Sequence, residues 1–477
     1  MAAKLASQDA GIGRPGFPGK TVLLLGLLLP CAVAMAQSDG IQAGPPRAGG
    51  NLPGLTAEEL AQFVASTAAF VEADSVKGAF VSPVFGVEKS AGLGPRFNMV
   101  GCAGCHAQPA AGGTSPFRNP QIDAATDAGA RNVIPPFITL TGPVREVRFK
   151  SAVDADGNTL SPIQRDGGVH ALFTITGRSD APGCSIPQAP FARVAAQNNL
   201  SFRIPTPLFG LGLVEAISDG TILQSFASTA FMRGRFAING HPNRSGNDGN
   251  ITKFGWKAQN VSLTVFAGEA YNVEQGVTNE LFINERDNEP VALPAACYFN
   301  AVPEDRTQSG TSFETVANDL VKFATFMRLL APPAPTCDSF ANPSNCPTTV
   351  QNGRNTFTQI GCALCHTAQL AVSPSYIGAI TNQRFARLFS DLLVHRMGTR
   401  LADGISQGAA GDDEFRTAPL WGVGQRIFFL HDGRTTSLTR AIQEHASDGS
   451  EANGVIERYN DLSSGQQQDL INFLRSL

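Results

Sequence analysis

The chain has few of the residues that mark several common protein classes. It contains only two tryptophans and four tyrosines in 477 residues, and charged residues make up 16%. A formal charge of −4 excludes a generally basic surface of the kind that binds nucleic acid. The one apolar run long enough to consider as a membrane span lies at the N-terminus, which excludes a polytopic membrane protein. By contrast, 49 glycines and 31 prolines indicate a loop-rich, folded globule.

The N-terminus has the pattern of a secretory signal. Lys4, Arg14 and Lys20 form a positive segment, residues 21–33 are apolar, and Ala34-Met35-Ala36 supplies the small residues that signal peptidase reads. The apolar run is short for a transmembrane helix. We expect residues 1–36 to be a cleaved signal peptide and the mature protein to reach the periplasm. A lipoprotein anchored through Cys31 is the alternative, but the preceding Pro30 fits that signal poorly.

Two Cys-x-x-Cys-His motifs carry the chemistry of the chain. They are Cys102-Ala-Gly-Cys105-His106 and Cys362-Ala-Leu-Cys365-His366. Two thiols at this spacing can each form a thioether to a haem vinyl group, and the adjacent His then becomes the proximal iron ligand. A zinc site or a redox-active thiol pair is the alternative for one such motif, but a second copy in an exported chain weakens it. The sequence predicts two covalently bound haem c groups.

Four cysteines remain in the mature chain: Cys184, Cys297, Cys337 and Cys346. An even number in an oxidising compartment predicts two disulfides, with three possible connectivities. Cys337 and Cys346 flank a short Asn/Pro loop and are the favoured pair.

The chain is organised as two copies of one plan, in which a helix precedes a haem motif and a later helix closes the unit. We expect a mainly α fold with two cytochrome c-like haem domains, the first carrying a large irregular insertion with some β structure. The expected boundaries are a flexible leader at 37–54, a first domain at 55–332, a linker at 333–349 and a second domain at 350–477.

Individual elements follow from capping and periodicity. Thr56-Ala-Glu-Glu59 is a capping box, and Leu60, Phe63, Val64 and Phe70 continue at helical spacing. Further helices are predicted along Val316 to Leu330, from Gly353 to Gly361, and from Ser463 or Ser464 to the C-terminus. The stretches Ala171–Ile175 and Val261–Phe266 have the pattern of short strands.

Several segments resemble the di-haem oxidoreductase family known as thiol oxidoreductases. They are Gly92-Leu-Gly-Pro-Arg-Phe97 before the first haem motif, residues 202–215, Phe254-Gly-Trp-Lys257, residues 391–398, Phe415-Arg-Thr-Ala-Pro-Leu-Trp-Gly422 and Phe429-Leu-His-Asp-Gly-Arg434. That family is similar to bacterial di-haem cytochrome c peroxidases and MauG. The resemblance implies that one haem reacts with peroxide while the other stores or relays an electron.

The sixth iron ligands depart from the peroxidase pattern. No His occurs from Ala107 to Val169, and His170 is the first one available. The first haem is therefore expected to have an open distal face, as in MauG. At the second haem, Glu414 aligns with the axial Met of the peroxidases and the Tyr of MauG. Because a carboxylate is a poor ligand for a low-spin haem, we expect His395 as the sixth ligand, with Met397 and Glu414 as alternatives.

Three further residues are candidates for catalysis, each with an ordinary structural interpretation beside it. Glu215 follows an apolar run and could handle protons, or it could be a salt-bridged helix-end residue. Arg203 could stabilise charge on bound peroxide or hold a haem propionate, the second being favoured. Trp256 lies between the haem motifs in sequence and could relay electrons, with core packing as the default role.

The remaining polar candidates are weaker. His431 and His445 are interpreted as structural hydrogen-bonding residues, and His241 as an exposed loop residue. Asp412 and Asp413 could help to bind calcium, which the related peroxidases hold, but no calcium-loop motif supports this.

The predicted function is that of an exported di-haem c-type oxidoreductase of the peroxidase or MauG type. The first haem, on His106, would be the reactive site, and the second, on His366, the electron-transfer site. A small redox protein and peroxide or O₂ are the expected partners. The alternatives are a haem-dependent oxygenase on the same scaffold, favoured by an entirely apolar pocket, and a non-enzymatic electron carrier. No free Cys-x-x-Cys would remain after haem attachment to support a thiol oxidoreductase.

Overall fold

The computed structural model describes residues 39–42, 44–88, 90–286, 289–340 and 342–477, so the predicted signal peptide lies outside the described residues. The α-helices are α1 Ala57–Val71, α2 Cys102–Cys105, α3 Gln121–Ala124, α4 Phe191–Ala196, α5 Leu211–Glu215, α6 Asp219–Ser228, α7 Ala230–Phe236, α8 Leu263–Gln275, α9 Phe313–Val316, α10 Asp319–Leu329, α11 Thr348–Ile360, α12 Gly378–Thr381, α13 Leu438–Glu444, α14 Asn453–Asn460 and α15 Ser464–Ser476. Within the described ranges, none of these helices is both long and apolar enough to cross a membrane.

The strands are short and form small, separate sheets. They are β1 Asp74–Ser75, β2 Phe80–Ser82, β3 Gly86–Glu88, β4 Ser90–Ala91, β5 Arg96–Phe97, β6 Glu146–Phe149, β7 Val169–His170, β8 Phe173–Thr174, β9 Leu200–Arg203, β10 Leu370–Ala371, β11 Phe385–Ala386, β12 Val394–Arg396 and β13 Glu414–Arg416. β6 pairs antiparallel with both β7 and β9 in a three-stranded sheet. In the sequence, these strands lie between the two Cys-x-x-Cys-His motifs. The structure therefore combines helices with some β structure, and long irregular segments connect them.

Side-chain caps start several helices where the sequence predicts them. Thr56 accepts from the backbone N–H of Glu59, whose carboxylate accepts from the N–H of Thr56, and Ser463 and Gln466 repeat the arrangement before α15. The helix predicted from Gly353 instead begins at Thr348 and ends at Ile360.

One local prediction is wrong, and one helix exposes part of its apolar pattern. Val261–Phe266 is not a strand: Ser262 accepts a hydrogen bond from the N–H of Val265 and caps α8, so its apolar residues begin a helix. α1 is a helix as predicted, and its Phe63 and Phe70 are buried, but Leu60 and Val64 are 44% and 61% exposed. The buried stripe runs through Phe63, Ser66 and Phe70, which leaves Leu60 and Val64 beside it.

Each haem motif follows a helix that packs against a later one. α1 packs on α10, where Phe70 stacks on Phe326 with ring centroids 4.2 Å apart. α11 packs on α15, where Phe357 meets Phe473 edge-on at 5.4 Å. α8 also packs on α10, through Tyr271 and Phe323. These helix pairs hold the two Cys-x-x-Cys-His segments in place.

Both predicted disulfides form, and Cys337 pairs with Cys346 as expected. The other joins Cys184 to Cys297, which are 113 residues apart in the chain. The four motif cysteines carry no disulfide. Residues 37–477 form one compact unit, and its division into two cytochrome c-like domains at the expected boundaries stays a prediction.

Candidate functional site

Each Cys-x-x-Cys-His motif lines a large cavity that is partly open to solvent. The first cavity, about 1050 Å³, is lined by Cys102, Cys105 and His106. The second, about 1520 Å³, is lined by Cys362, Cys365 and His366. The two cysteines and the histidine of each motif therefore line one shared cavity, which is the arrangement that covalent haem attachment requires.

The two motif histidines are held in the same way. Nδ1 of His106 lies 3.0 Å from the carbonyl oxygen of Gly113, and Nδ1 of His366 lies 3.0 Å from that of Phe389. A carbonyl accepts only, so Nδ1 carries the proton and Nε2 keeps a free lone pair. Burial lowers the pKa of both imidazoles to about 4, which keeps the rings neutral. A neutral ring with an anchored Nδ1 and a free Nε2 is suited to bind iron.

The polar groups of the cavity walls also fit a haem. In the first cavity, Nε of Arg145 and Oε1 of Gln259 are buried without a hydrogen-bond partner among the described residues. In the largely apolar second cavity, Arg426 donates to the backbone carbonyls of Pro419 and Trp421 and pairs with no carboxylate of the described chain. Burial lowers the pKa of Arg426 to about 10. A haem has an apolar ring and two carboxylates, so these cations suit its propionates.

Trp256 lies between the cavities. Trp256 and Ile204 line both of them, and the indole Nε1 donates to the carbonyl oxygen of Ile204 at 2.9 Å. The edge of the indole faces the ring of His431, with centroids 6.4 Å apart. The structure thus brings this predicted relay residue into contact with both sites.

Arg203 lines the first cavity but is already paired. Its Nη2 lies 2.7 Å from a carboxylate oxygen of Asp403, and its Nη1 lies 2.6 Å from Oε1 of Gln407. Lys257, fully buried, also contacts Asp403 at 3.2 Å. This buried cluster ties β9 to the loop before β13 and leaves Arg203 with a compensated charge.

The two carboxylates considered for proton handling have different surroundings. Glu215 accepts from Arg328 at 2.7 Å and from the N–H of Leu263 at 2.9 Å, and it lines neither cavity. Sequence reasoning missed Glu274, which lines the first cavity on the same face of α8 as Ala267 and Ala270. Burial, with nearby carboxylates, raises the pKa of Glu274 to about 8. The spacing of Ala267, Ala270 and Glu274 along one helix face could have indicated it.

The candidate ligands of the second haem also differ in their surroundings. His395 lines the second cavity, but its Nδ1 lies 2.8 Å from Glu451 and its Nε2 lies 2.9 Å from Asp391. As placed, it has no nitrogen free for iron. Glu414 lines neither cavity and accepts from Gly411 and His241. Met397 does line the second cavity.

His170 does not line the first cavity. Its ring nitrogens lie 3.0 Å from Asp166 and 3.4 Å from Glu289, and the ring stacks on Phe149. Among the described residues that line the first cavity, His106 is the one histidine.

No cluster of three or more His, Cys, Asp or Glu side chains suited to hold a metal ion occurs in the described part of the chain. The calcium site suggested for Asp412 and Asp413 thus gains no support and stays a prediction.

A family match and two solved structures show what this chain is similar to. A family model described as "Di-haem oxidoreductase, putative peroxidase" matches residues 168–477, which include the second motif and Trp256. Among solved structures, hydrazine synthase from Kuenenia stuttgartiensis, pressurized with xenon, is similar at 14% identity with a TM-score of 0.28, over 58% of this chain and 73% of that chain.

A second similar structure is a MauG-like protein associated with microbial copper homeostasis. It is 20% identical with a TM-score of 0.25, over 35% of this chain and 53% of that chain. This chain therefore spans about half of that protein. No match was found among curated proteins.

Proposed function

Because the chain belongs to the di-haem oxidoreductase family, we propose that it is an exported two-haem enzyme of the peroxidase or MauG type. The observation that carries the proposal is the pair of cavities that share Trp256, each with a Cys-x-x-Cys-His segment and an anchored, neutral histidine. Haem c would be attached at Cys102 and Cys105 and at Cys362 and Cys365, as the cysteine spacing and the open thiols support. Bound haem supplies the iron at which peroxide reacts and at which electrons are held.

The first cavity has the features expected of the reactive site. It offers His106 as a proximal ligand and no second histidine among its described lining residues. Glu274 provides a carboxyl group whose raised pKa, about 8, lets it hold or accept a proton near neutral pH. Reduction of peroxide to water consumes protons, and Glu274, which lines the cavity, would supply them. Glu274 therefore takes the proton-handling role that the sequence suggested for Glu215.

The charged wall of the first cavity favours peroxide over the oxygenase alternative. An O₂ site of the kind considered in the sequence analysis would be entirely apolar. This cavity is lined instead by Glu274 and by three arginines, Arg145, Arg148 and Arg203. Arg145, with its unpaired Nε, is better suited to a propionate than Arg203, whose charge Asp403 compensates.

The second cavity would hold the electron-transfer haem, with Trp256 between the two sites. Its wall is largely apolar, and a small redox protein would supply or accept electrons there. Export to the periplasm is supported by the signal pattern in residues 1–36 and by the two disulfides.

The test is made on the purified, haem-loaded protein. We expect haem absorbance and low-temperature EPR to show one high-spin and one low-spin haem, with one equivalent of peroxide removing the high-spin signal. The experiment is run on fully oxidised and half-reduced protein, because reaction only when half-reduced would indicate that an activating electron is needed. Two low-spin haems that do not react with peroxide in either state would contradict the proposal and indicate an electron carrier.

A further inference from the structure

The second cavity contains three histidines besides His366, and their surroundings separate them. They are His395, His431 and His445, and all line the cavity. An imidazole that binds iron through Nε2 needs that nitrogen free, and its ring is held when Nδ1 donates to a fixed acceptor. His106 and His366 both meet these conditions. The same two conditions can be applied to the other three.

His395 and His431 each fail one condition. Both nitrogens of His395 are hydrogen-bonded to carboxylates, those of Asp391 and Glu451, so neither nitrogen is free. His431 stacks on Phe415 with ring centroids 4.2 Å apart, and its ring nitrogens have no hydrogen-bond partner among the described residues. Its ring therefore lacks the Nδ1 anchor that would hold it toward a metal.

His445 meets both conditions. Its Nδ1 lies 2.8 Å from the carbonyl oxygen of Ala441, and its Nε2 has no hydrogen-bond partner in the described chain. His445 and His366 line the same cavity. His445 is half-buried and lines the cavity.

Helix α13 fixes the position of His445. Leu438, Ala441 and His445 follow one another at three- and four-residue spacing and line the cavity together. Next to His445 in the chain, the carboxylate of Glu444 pairs with Arg440 and lies 3.6 Å from Arg434. Because Leu438, Ala441 and Glu444 are buried and Glu444 pairs with arginines, contacts of α13 anchor the helix end that carries His445.

From this geometry we infer that His445 is the sixth ligand of the haem held by Cys362, Cys365 and His366, which makes that haem bis-histidine. The inference rests on the proposed attachment of haem at the second motif. His445 takes the ligand role that the sequence analysis gave to His395, with Glu414 as an alternative. Both nitrogens of His395 are hydrogen-bonded, and Glu414 lines neither cavity. Met397 lines the same cavity and is the remaining competitor.

A bis-histidine second haem has a functional consequence. With both axial positions filled by imidazole, the iron has no open position for peroxide, so this haem is confined to electron transfer. Replacement of one imidazole by a thioether raises the reduction potential of a haem. The second haem is therefore expected to have a lower potential than a His/Met haem in the same cavity.

The experiment compares the haem-loaded wild-type protein with His445→Ala and Met397→Leu. Haem content is measured first, by the pyridine haemochrome and intact mass, so that loss of attachment is distinguished from loss of a ligand. We expect both variants to carry two haems. Low-temperature EPR should then show that His445→Ala loses the low-spin signal of one haem, that added imidazole restores it, and that Met397→Leu keeps it.

Two further measurements make the result decisive. The near-infrared spectrum of the oxidised wild-type protein is expected to lack the charge-transfer band of a His/Met haem. This measurement needs no variant. If His445→Ala does not accumulate, His445→Met is expected to keep a low-spin second haem with a raised reduction potential. An unchanged low-spin signal in His445→Ala with two haems attached, or its loss in Met397→Leu, would overturn the inference. Absence of covalent haem in the wild-type protein would contradict the proposed function instead.

Discussion

At the scale of single residues, the neighbours of a side chain decide its role more than its type does. Glu215 and Glu274 are both carboxylates next to apolar sequence. Glu215 is held by Arg328 and the start of α8, whereas Glu274 lines the first cavity and forms no ion pair with an arginine among the described residues. The surroundings of His395 and His445 also differ. Both nitrogens of His395 are bonded to carboxylates, whereas Nε2 of His445 has no hydrogen-bond partner among the described residues.

The two glutamates give a matched pair of predictions. Glu274→Gln should lower the rate constant for reaction with peroxide by about 100- to 10 000-fold, because general acid–base catalysis contributes that much. Stopped-flow absorbance of the haem-loaded protein measures it. The variant should fold normally, since Gln removes a carboxyl group that burial already disfavours in its charged form.

Glu215→Gln is expected to lower the stability of the protein rather than its rate of reaction with peroxide. It weakens charge-assisted hydrogen bonds from Arg328 and should lower the free energy of unfolding by about 1–3 kcal/mol, with the peroxide rate constant changed little. Denaturant titration measures the stability. A slow but stable Glu215→Gln together with a fully active Glu274→Gln would return the proton-handling role to Glu215.

At the scale of elements, the contacts between helices position both haem motifs. α11, which precedes the second motif, packs so closely on α15 that a Cβ added to Gly353 would lie 1.9 Å from the backbone oxygen of Asp469. Gly465, in the first turn of α15, has open space around the same position. Gly353 is thus needed for close approach, and Gly465 is not.

This contrast predicts opposite effects of one substitution on one helix pair. Gly353→Ala should destabilise the haem-loaded protein by about 1–3 kcal/mol or more, because the helices must separate to admit the methyl group. Gly465→Ala should be neutral or stabilise it by up to about 1 kcal/mol, since alanine is the better helix former. Thermal unfolding followed by circular dichroism measures both. Equal effects of the two substitutions would contradict the close packing of α11 on α15.

Elements also show where sequence reasoning stops. Thr56 and Ser463 signal their helices locally, because a cap depends on residues three positions apart. The apolar residues of Val261–Phe266 fit a strand or a helix equally well, and only the cap formed by Ser262 decides for α8. The exposure of Leu60 and Val64 depends on where α10 lies, which no local pattern contains.

At the scale of the whole molecule, residues 37–477 form one unit in which two cavities share Trp256 and Ile204. Arg203 and Asp403 lie 200 residues apart in the chain, and their buried ion pair connects β9 with the loop before β13. The disulfide between Cys184 and Cys297 closes a long loop within the insertion, and that between Cys337 and Cys346 closes a short one.

The difference in loop length predicts unequal stabilisation. Loss of Cys184–Cys297 by double substitution with alanine should cost about 4–5 kcal/mol, since a loop of that length restricts the unfolded chain strongly. Loss of Cys337–Cys346 should cost about 2–3 kcal/mol by the same reasoning. Denaturant titration of the oxidised, haem-loaded variants compares them. A larger cost for the short loop would show that native contacts, rather than chain entropy, set the contribution.

The sequence by itself predicted the haem-attachment motifs, the pairing of Cys337 with Cys346, the helix caps and the family. Each of these depends on residues close together in the chain: two residues between thiols, an adjacent histidine, a short loop between cysteines, a few residues between capping partners. The sequence did not determine which glutamate faces the first cavity or which histidine is free in the second. Several partners that decide such roles are distant in the chain: Glu451 lies 56 residues from His395, and Asp403 lies 200 residues from Arg203. Only the tertiary structure decided them, because burial and hydrogen bonding are properties of neighbours in space.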